Sequence, residues 1–388
     1  MPTIRSGLTA GVASVVFVLG LHVSVSSAGT RFVVTNLVSD GSVPAATIDP
    51  NLINPWGVAT SATSPFWIAD NGSGVATIYN GSGVKSALTP SVAPPAGGSP
   101  PSAPTGQVFN GSSTSFLLNG NANSAASFIF DTEDGTISGW SSKVSLTNSV
   151  LMVDNSNGGA GAVYKGLAIA NNAGQQMLYA ANFRAGDIEI YNSAFGLAGT
   201  FTDPTVAAGY APFNVQALNG NLFVTFAQQD ATKHDDVAGA GNGYVDEFSL
   251  SGVFKQRLVS LGGQVNSPWG LDIAPASFGQ FAGDLLVGNF GDGTISAFDP
   301  STGTFMGTLD GVNGQPLMIG DLWALINGNG GSGGSVNKVY FTAGVSNEAH
   351  GLFGSLTAVP EPQTWSMMIV GLGLAGLALR RRAVALAH

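Results

Sequence analysis

Two groups of residues in this sequence have the types and spacing to do chemistry. The first comprises Asn54, Asp70, Lys165, Asn182, Asn214, Asn266, Asn289 and Asp321, each at or beside the end of a short apolar run. Carboxylate and amide oxygens brought to one place are hard ligands that suit Ca²⁺. The second is residues 228–246 (QQDATKHDDVAGAGNGYVD), which concentrate Asp230, His234, Asp235, Asp236 and Asp246. That segment lacks the alternating Asp/Asn spacing and terminal Glu of an EF-hand loop. It is expected either to gather around a cation, to project as a binding loop, or to be an ordinary solvated loop. The first group has an ordinary reading too, because Asn and Asp cap strand ends and make turns.

Other formal matches dissolve on inspection. Residues 330–334 (GGSGG) fit a serine-hydrolase elbow but lie in a glycine run with no helix after it. Residues 371–376 (GLGLAG) fit a dinucleotide fingerprint but sit inside an apolar stretch with no strand before it. There is no cysteine, so neither disulfides nor thiol chemistry are available. Away from the two ends, His234 and His350 are the only histidines, little material for a zinc site or a histidine base.

The elements that would position these residues recur. A glycine is followed five residues on by a large apolar residue in Gly74 with Tyr79, Gly135 with Trp140, Gly186 with Tyr191, Gly243 with Phe248, Gly293 with Phe298, and Gly351 with Leu356. In residues 283–299 (GDLLVGNFGDGTISAFD) an apolar run, a short Asp-Gly turn and an alternating run read as a hairpin. A further short strand precedes most copies, as in residues 55–58 (PWGV) and 268–271 (PWGL). With a less regular outer strand this makes about four strands per unit, the content of a propeller blade. The fold expected is all-β, a six-bladed β-propeller over residues 29–358. A sandwich or solenoid would need shorter, more even spacing, and a seventh blade would have to hide in an irregular segment. Strand starts and second-strand ends then share one edge of each blade, which places the first group of residues at one mouth of the central channel.

Residues 31–38 (RFVVTNLV) are strand-like and are expected to join the last blade and close the ring. Residues 86–105 hold six prolines and form a surface connection between the first two blades. Residues 1–28 carry one charge, Arg5, a long apolar run and Ser26-Ser27-Ala28, the pattern of a secretory signal peptide removed by signal peptidase. Residues 359–388 form a second targeting segment. In it Pro360-Glu361-Pro362 precede an apolar helix expected over 365–379, and Arg380-Arg381-Arg382 follow. Fifteen helical residues cover about 22 Å, and snorkelling arginines extend that reach towards a bilayer core of about 30 Å. The arginines predict a cytoplasmic end.

The Pro-Glu-Pro, helix and arginine order closely resembles the PEP-CTERM sorting signal of Gram-negative bacteria. That resemblance implies an exosortase as partner, membrane attachment only through the helix before processing, and delivery to the cell surface or an exopolysaccharide matrix. The central region resembles an uncharacterised family of exported bacterial propeller proteins through Asn54-Pro55-Trp56-Gly57, residues 233–245 (KHDDVAGAGNGYV) and residues 340–356 (YFTAGVSNEAHGLFGSL). That family implies architecture and no particular chemistry. Six-bladed propellers similar to the gluconolactonase-like lactonases place a metal at the channel mouth. Here no Glu occupies the first-blade position, so their reaction is not carried over.

Removing residues 1–28 and those after Pro362 takes away Arg5 and Arg380 to Arg382 and no acid, so the net charge of −10 becomes −14. Such a charge opposes nucleic acid and anionic membranes and admits divalent cations. The expected function is a non-catalytic, surface- or matrix-associated binding propeller with a glycan or matrix partner. The alternative is a calcium-dependent lactonase-type hydrolase or lyase using channel-mouth carboxylates.

Overall fold

A computed structural model describes residues 29–359; the signal peptide and the sorting helix expected above lie outside the described residues. Among the described residues no helix is long and apolar enough to cross a membrane. Six sheets, antiparallel but for two short parallel pairings on Arg31–Ser39 in the last, stand around an axis as the blades of a propeller. Their innermost strands are Pro55–Ala59, Pro104–Phe109, Tyr164–Asn172, Tyr210–Leu218, Pro268–Ile273 and Leu322–Asn327, each packed on the next and the sixth on the first.

The glycine spacing reflects one local event. In each blade the third strand starts just past the repeated glycine and buries the large residue: Tyr79, Trp140, Tyr191, Phe248, Phe298 and Leu356 are at most 5% exposed. Gly74, Gly135, Gly186 and Gly293 take positive φ of 68–84°, which a side chain would strain. The buried residues fill apolar layers between neighbouring blades, such as Trp67, Phe128 and Trp140 between the first and second.

Closure follows the expected route. Arg31–Ser39 pairs antiparallel with Leu352–Val359, Arg31 opposite Val359, as the outer strand of the last blade. The first blade has three strands. Its fourth place is taken by the proline-rich connection, which touches the sheet through Ala76 N–H to Pro90 O (2.8 Å) and Val92 N–H to Gly74 O (2.9 Å). Prolines there remove the donors a continuous ladder needs.

Every innermost strand carries a register irregularity near its start, after its first residue in five blades and after Pro212, its third, in the fourth. The residue at that irregularity then turns to the axis, giving Trp56, Thr105, Lys165, Phe213, Trp269 and Trp323. The residue after it is small in five blades because the next strand passes so close. A Cβ on Gly57 would collide with Thr105 O, one on Gly106 with Leu167 N, one on Gly166 with Asn214 Oδ1, and one on Gly270 would stand 2.5 Å from Trp323 O.

Gly57→Ala is therefore expected to destabilise the ring by about 1–3 kcal/mol. Gly199→Ala, in an outer strand with nothing near its added methyl, is expected to be neutral or slightly stabilising. Urea unfolding of the two variants checks this, and equal losses would contradict the packing argument.

Candidate functional site at the channel mouth

The axis is filled rather than open. Trp56 and Trp323 stack at 3.5 Å between ring centroids, and Trp269 meets both edge-on at 6.1 and 5.7 Å. Phe290 stacks on Trp323 at 4.1 Å, and Phe213 packs beside them. The Trp269 indole N–H donates to Lys165 O (2.8 Å), two blades away, and that of Trp323 to Asn54 Oδ1 (3.0 Å) on the adjacent first blade, so two rings are tied to other blades. Beneath this plug is a cavity of about 20 Å³ lined by Gly57, Gly106, Gln107 and Gln216 among others. That is room for about one water, and both polar atoms of the Gln107 amide lack a protein partner.

Above the plug lies a polar network built on Lys165, which is 1% exposed. Its ammonium bonds Glu133 Oε1, lies 3.3 Å from Asp235 Oδ1, and stands 5.1 and 5.9 Å from the ring centres of Trp56 and Phe183. Glu133 Oε2 accepts from Asn71 Nδ2 (2.8 Å), Asn71 Oδ1 from Asn54 Nδ2 (3.4 Å), and Glu348 Oε2 also from Asn54 Nδ2 (2.8 Å). On the other side His234 Nδ1 lies 2.8 Å from Asp235 Oδ1. The chain of contacts spans five blades.

Charge balance decides the protonation states. Burial disfavours the Lys165 ammonium, but Glu133 and Asp235 more than offset this and raise its pKa. Burial would raise Asp235 as well, yet Lys165 and His234 bring it below the usual carboxylate range. Glu348 is pushed up to about 7, mainly by burial and further by the charges of Glu133 and Asp236, against the Asn54 hydrogen bond and the Lys165 charge. Burial also raises Asp236, whose Oδ2 has no partner, and Asp134, where Glu133 adds to the effect.

Of the sequence-derived residues, Asn54, Lys165, His234 and Asp235 meet in this network. Asp321 supports it, since its Oδ2 accepts from the amides of Asn347 (2.8 Å) and Glu348 (3.4 Å). Asn266 holds the long loop of the fourth blade by accepting from Gly239 N–H (2.7 Å), and Asn214 Nδ2 donates to Trp269 O (2.8 Å). Asp70, Asn182 and Asn289 turn into their own sheets, to Thr77 N–H, Glu189 Oε1, and the Thr294 and Ser296 hydroxyls. Asp230 caps the loop by accepting from Thr232 and His234, and Asp236 lies near enough to Lys165 and Asp235 to feel their charges. Asp246 sits apart on Tyr244–Ser249, 2.9 Å from Arg257 Nε, with Asp203 on the same guanidinium.

Sequence reasoning missed Asn71, Glu133 and Glu348. The available signal was parity: the residue after each second-strand end is Asn71, Glu133, Phe183, Gln229, Phe290 or Gly344, and each has an observed contact at the mouth or plug.

Glu133, His234 and Asp235 offer ligand atoms within 4.8 Å of one another. The Lys165 ammonium already bonds two of the three, so an entering dication would meet a fixed positive charge. The network contains no Ser, Thr or Cys nucleophile. Beside it opens a groove of about 460 Å³, walled by residues 95–98 of the proline-rich connection, Glu133, Asp134, the 156–162 loop, Arg184 and His234. Ala96 N–H donates to Asp154 Oδ2 (2.8 Å), and Arg184 Nη1 donates to Gly159 O (2.8 Å) and Gly161 O (3.0 Å), which fix the two walls.

These features define a six-bladed propeller with a plugged axis and one charged mouth. The profile of the PEP-CTERM protein-sorting motif matches residues 358–382, which implies processing by an exosortase and an exported protein. Two uncharacterized proteins of Acanthamoeba polyphaga mimivirus are each 32% identical to the chain, over 84% of it and 80% of the first, and 83% of it and 85% of the second. The chain belongs to the family of these proteins. Among solved structures, virginiamycin B lyase from Staphylococcus aureus superposes with a TM-score of 0.49 at 12% identity, covering 85% of this chain and all of that one.

Two outcomes are expected. Lys165→Met leaves the partly buried Glu133 without its cation and should cost about 1–3 kcal/mol in chemical denaturation; a variant as stable as the wild type would contradict the network. Glu348 in the folded chain keeps its proton up to about pH 7, while the unfolded chain loses it near 4.5. Stability should therefore fall as pH rises through that window, by at most about 1.4 kcal/mol per pH unit. Melting curves of Glu348→Gln should show a shallower fall between pH 4.5 and 7, and parallel curves would refute the assignment.

Proposed function

We propose that the mature chain is a non-catalytic binding propeller of the cell surface or extracellular matrix, holding a glycan or matrix polymer in the mouth groove. The observation that carries this reading is the division of the mouth. The plug closes the axis and the network satisfies its own charges, which leaves the groove of about 460 Å³ as the place a ligand can enter. That volume is in the range of small-ligand sites. Its fixed walls of glycine, proline and a few charged groups offer hydrogen bonds with little ordering cost. The sorting motif supports the location, since it would deliver the groove to an extracellular polymer.

The calcium-dependent hydrolase or lyase is the second reading, favoured by the closeness of Glu133, His234 and Asp235. The Lys165 ammonium counts against it.

Ala96 is exposed on the groove wall and outside the network, so Ala96→Trp should block the groove without unfolding the ring. In pull-down with exopolysaccharide from the producing strain, wild type should be retained and Ala96→Trp should lose retention about tenfold. Equal retention would remove the groove from the account. Lactone or ester turnover abolished by chelation would replace binding with the hydrolase reading.

A further inference from the structure

The second blade carries another cavity at its opposite end. The 18 residues between Pro104–Phe109 and Phe128–Thr132 fold over the far edge of the sheet. With the turn after Trp140 they enclose about 470 Å³. The mouth groove touches this blade at Glu133 and Asp134, where the second strand turns into the third. The far cavity touches it where the first strand ends and the second begins, so the strand length separates the two.

Its lining chemistry differs from that of the mouth. In a chain with 23 acidic residues, no carboxylate lines this cavity. The side chains there are hydroxyls and amides, including Ser113, Asn123, Ser127 and Ser142, together with Phe109 and the exposed Lys143. Lys143 enters no ion pair among the described residues. Phe109 is held by Phe128 at 5.5 Å and keeps partial exposure. The floor is also fixed. Asn110 is 4% exposed, and its Nδ2 lies within hydrogen-bonding reach of Ser112 O, Ser115 O and Ala126 O (2.9–3.2 Å).

We propose that this cavity is a second binding site, for a saccharide bearing an anionic group. An aromatic face accepts the C–H face of a sugar ring through the hydrophobic effect and dispersion. The hydroxyl and amide groups exchange hydrogen bonds with sugar hydroxyls in either direction. The lone ammonium meets the carboxylate or sulfate. A net charge of −14 on the mature chain repels an anionic polymer at most of its surface, and a cation in a carboxylate-free cavity creates a local exception.

The test is titration calorimetry of the mature chain with tetragalacturonate, a sulfated oligosaccharide of equal length, and neutral cellotetraose. Wild type should bind at least one anionic sugar more tightly than cellotetraose, and which one it prefers separates carboxylate from sulfate as the recognised group. Lys143→Ala should weaken the preferred anionic ligand by roughly fivefold, the size expected for an exposed ion pair, and leave cellotetraose unchanged. Ala122→Trp, which fills the cavity from an exposed position, should abolish binding of all three, while Ala96→Trp at the distant groove should have no effect. Absence of anionic-sugar binding, or binding that survives both Lys143→Ala and Ala122→Trp, overturns the proposal. Loss with Ala96→Trp alone would overturn it too and assign the sugar to the mouth.

Discussion

The closeness of the six inner strands at the axis governs the rest of this structure. Where glycine stands third in an inner strand, the neighbouring backbone lies where a Cβ would be. In those four blades no side chain can occupy that level, so the level above must close the ring. Three tryptophans and a phenylalanine do so, and the plug they form is an extension of the apolar layer between the last and first blades. An aromatic plug buries a large apolar area in one place, and here it also sets the floor of the mouth.

Lys165 is the one charged residue among the six axial positions. A buried ammonium is tolerable only with opposite charge and full hydrogen bonding around it. Glu133 from the second blade and Asp235 from the loop of the fourth supply that charge. Asn71 and Asn54 extend the ordering to Glu348 on the last blade. One cation thus organises loops far apart in the chain, and the groove beside them owes its fixed wall at Glu133 to the same contact. The arrangement is one of recognition more than reaction, because its charged groups are directed at one another.

Much of the architecture was legible because it rests on local rules. A glycine that must take positive φ, followed by a strand whose fifth residue is buried, leaves a regular mark in sequence. The ring closure was legible over residues 31–38 from their β-branched content together with the need of a closed ring to tie its two ends. The three-stranded first blade was harder to foresee, since its outer place is filled by prolines that make isolated contacts instead of a ladder. The mouth was half legible. Asn54 and Lys165 follow from the strand starts, but Asn71 and Glu133 lie one residue beyond the strand ends, where alternation reverses the side chain's direction. Glu348 could not be placed at all. Its position depends on a loop held by Asp321 and on contact with a residue 294 positions earlier, and no local pattern encodes such a meeting.

The likeness to the mimivirus proteins joins this chain to a family through the propeller, and the sorting motif adds the route by which it leaves the cell. What unites fold and proposed role is a mouth closed at its centre and ordered by a buried charge. Acetylation of lysines in the native mature chain, read by peptide mass spectrometry, tests that most directly. Lys165 should escape labelling while the exposed Lys143 and Lys233 react, and should become reactive only on unfolding. Labelling of Lys165 at the rate of those two would mean that the mouth is open and that its charge is not buried.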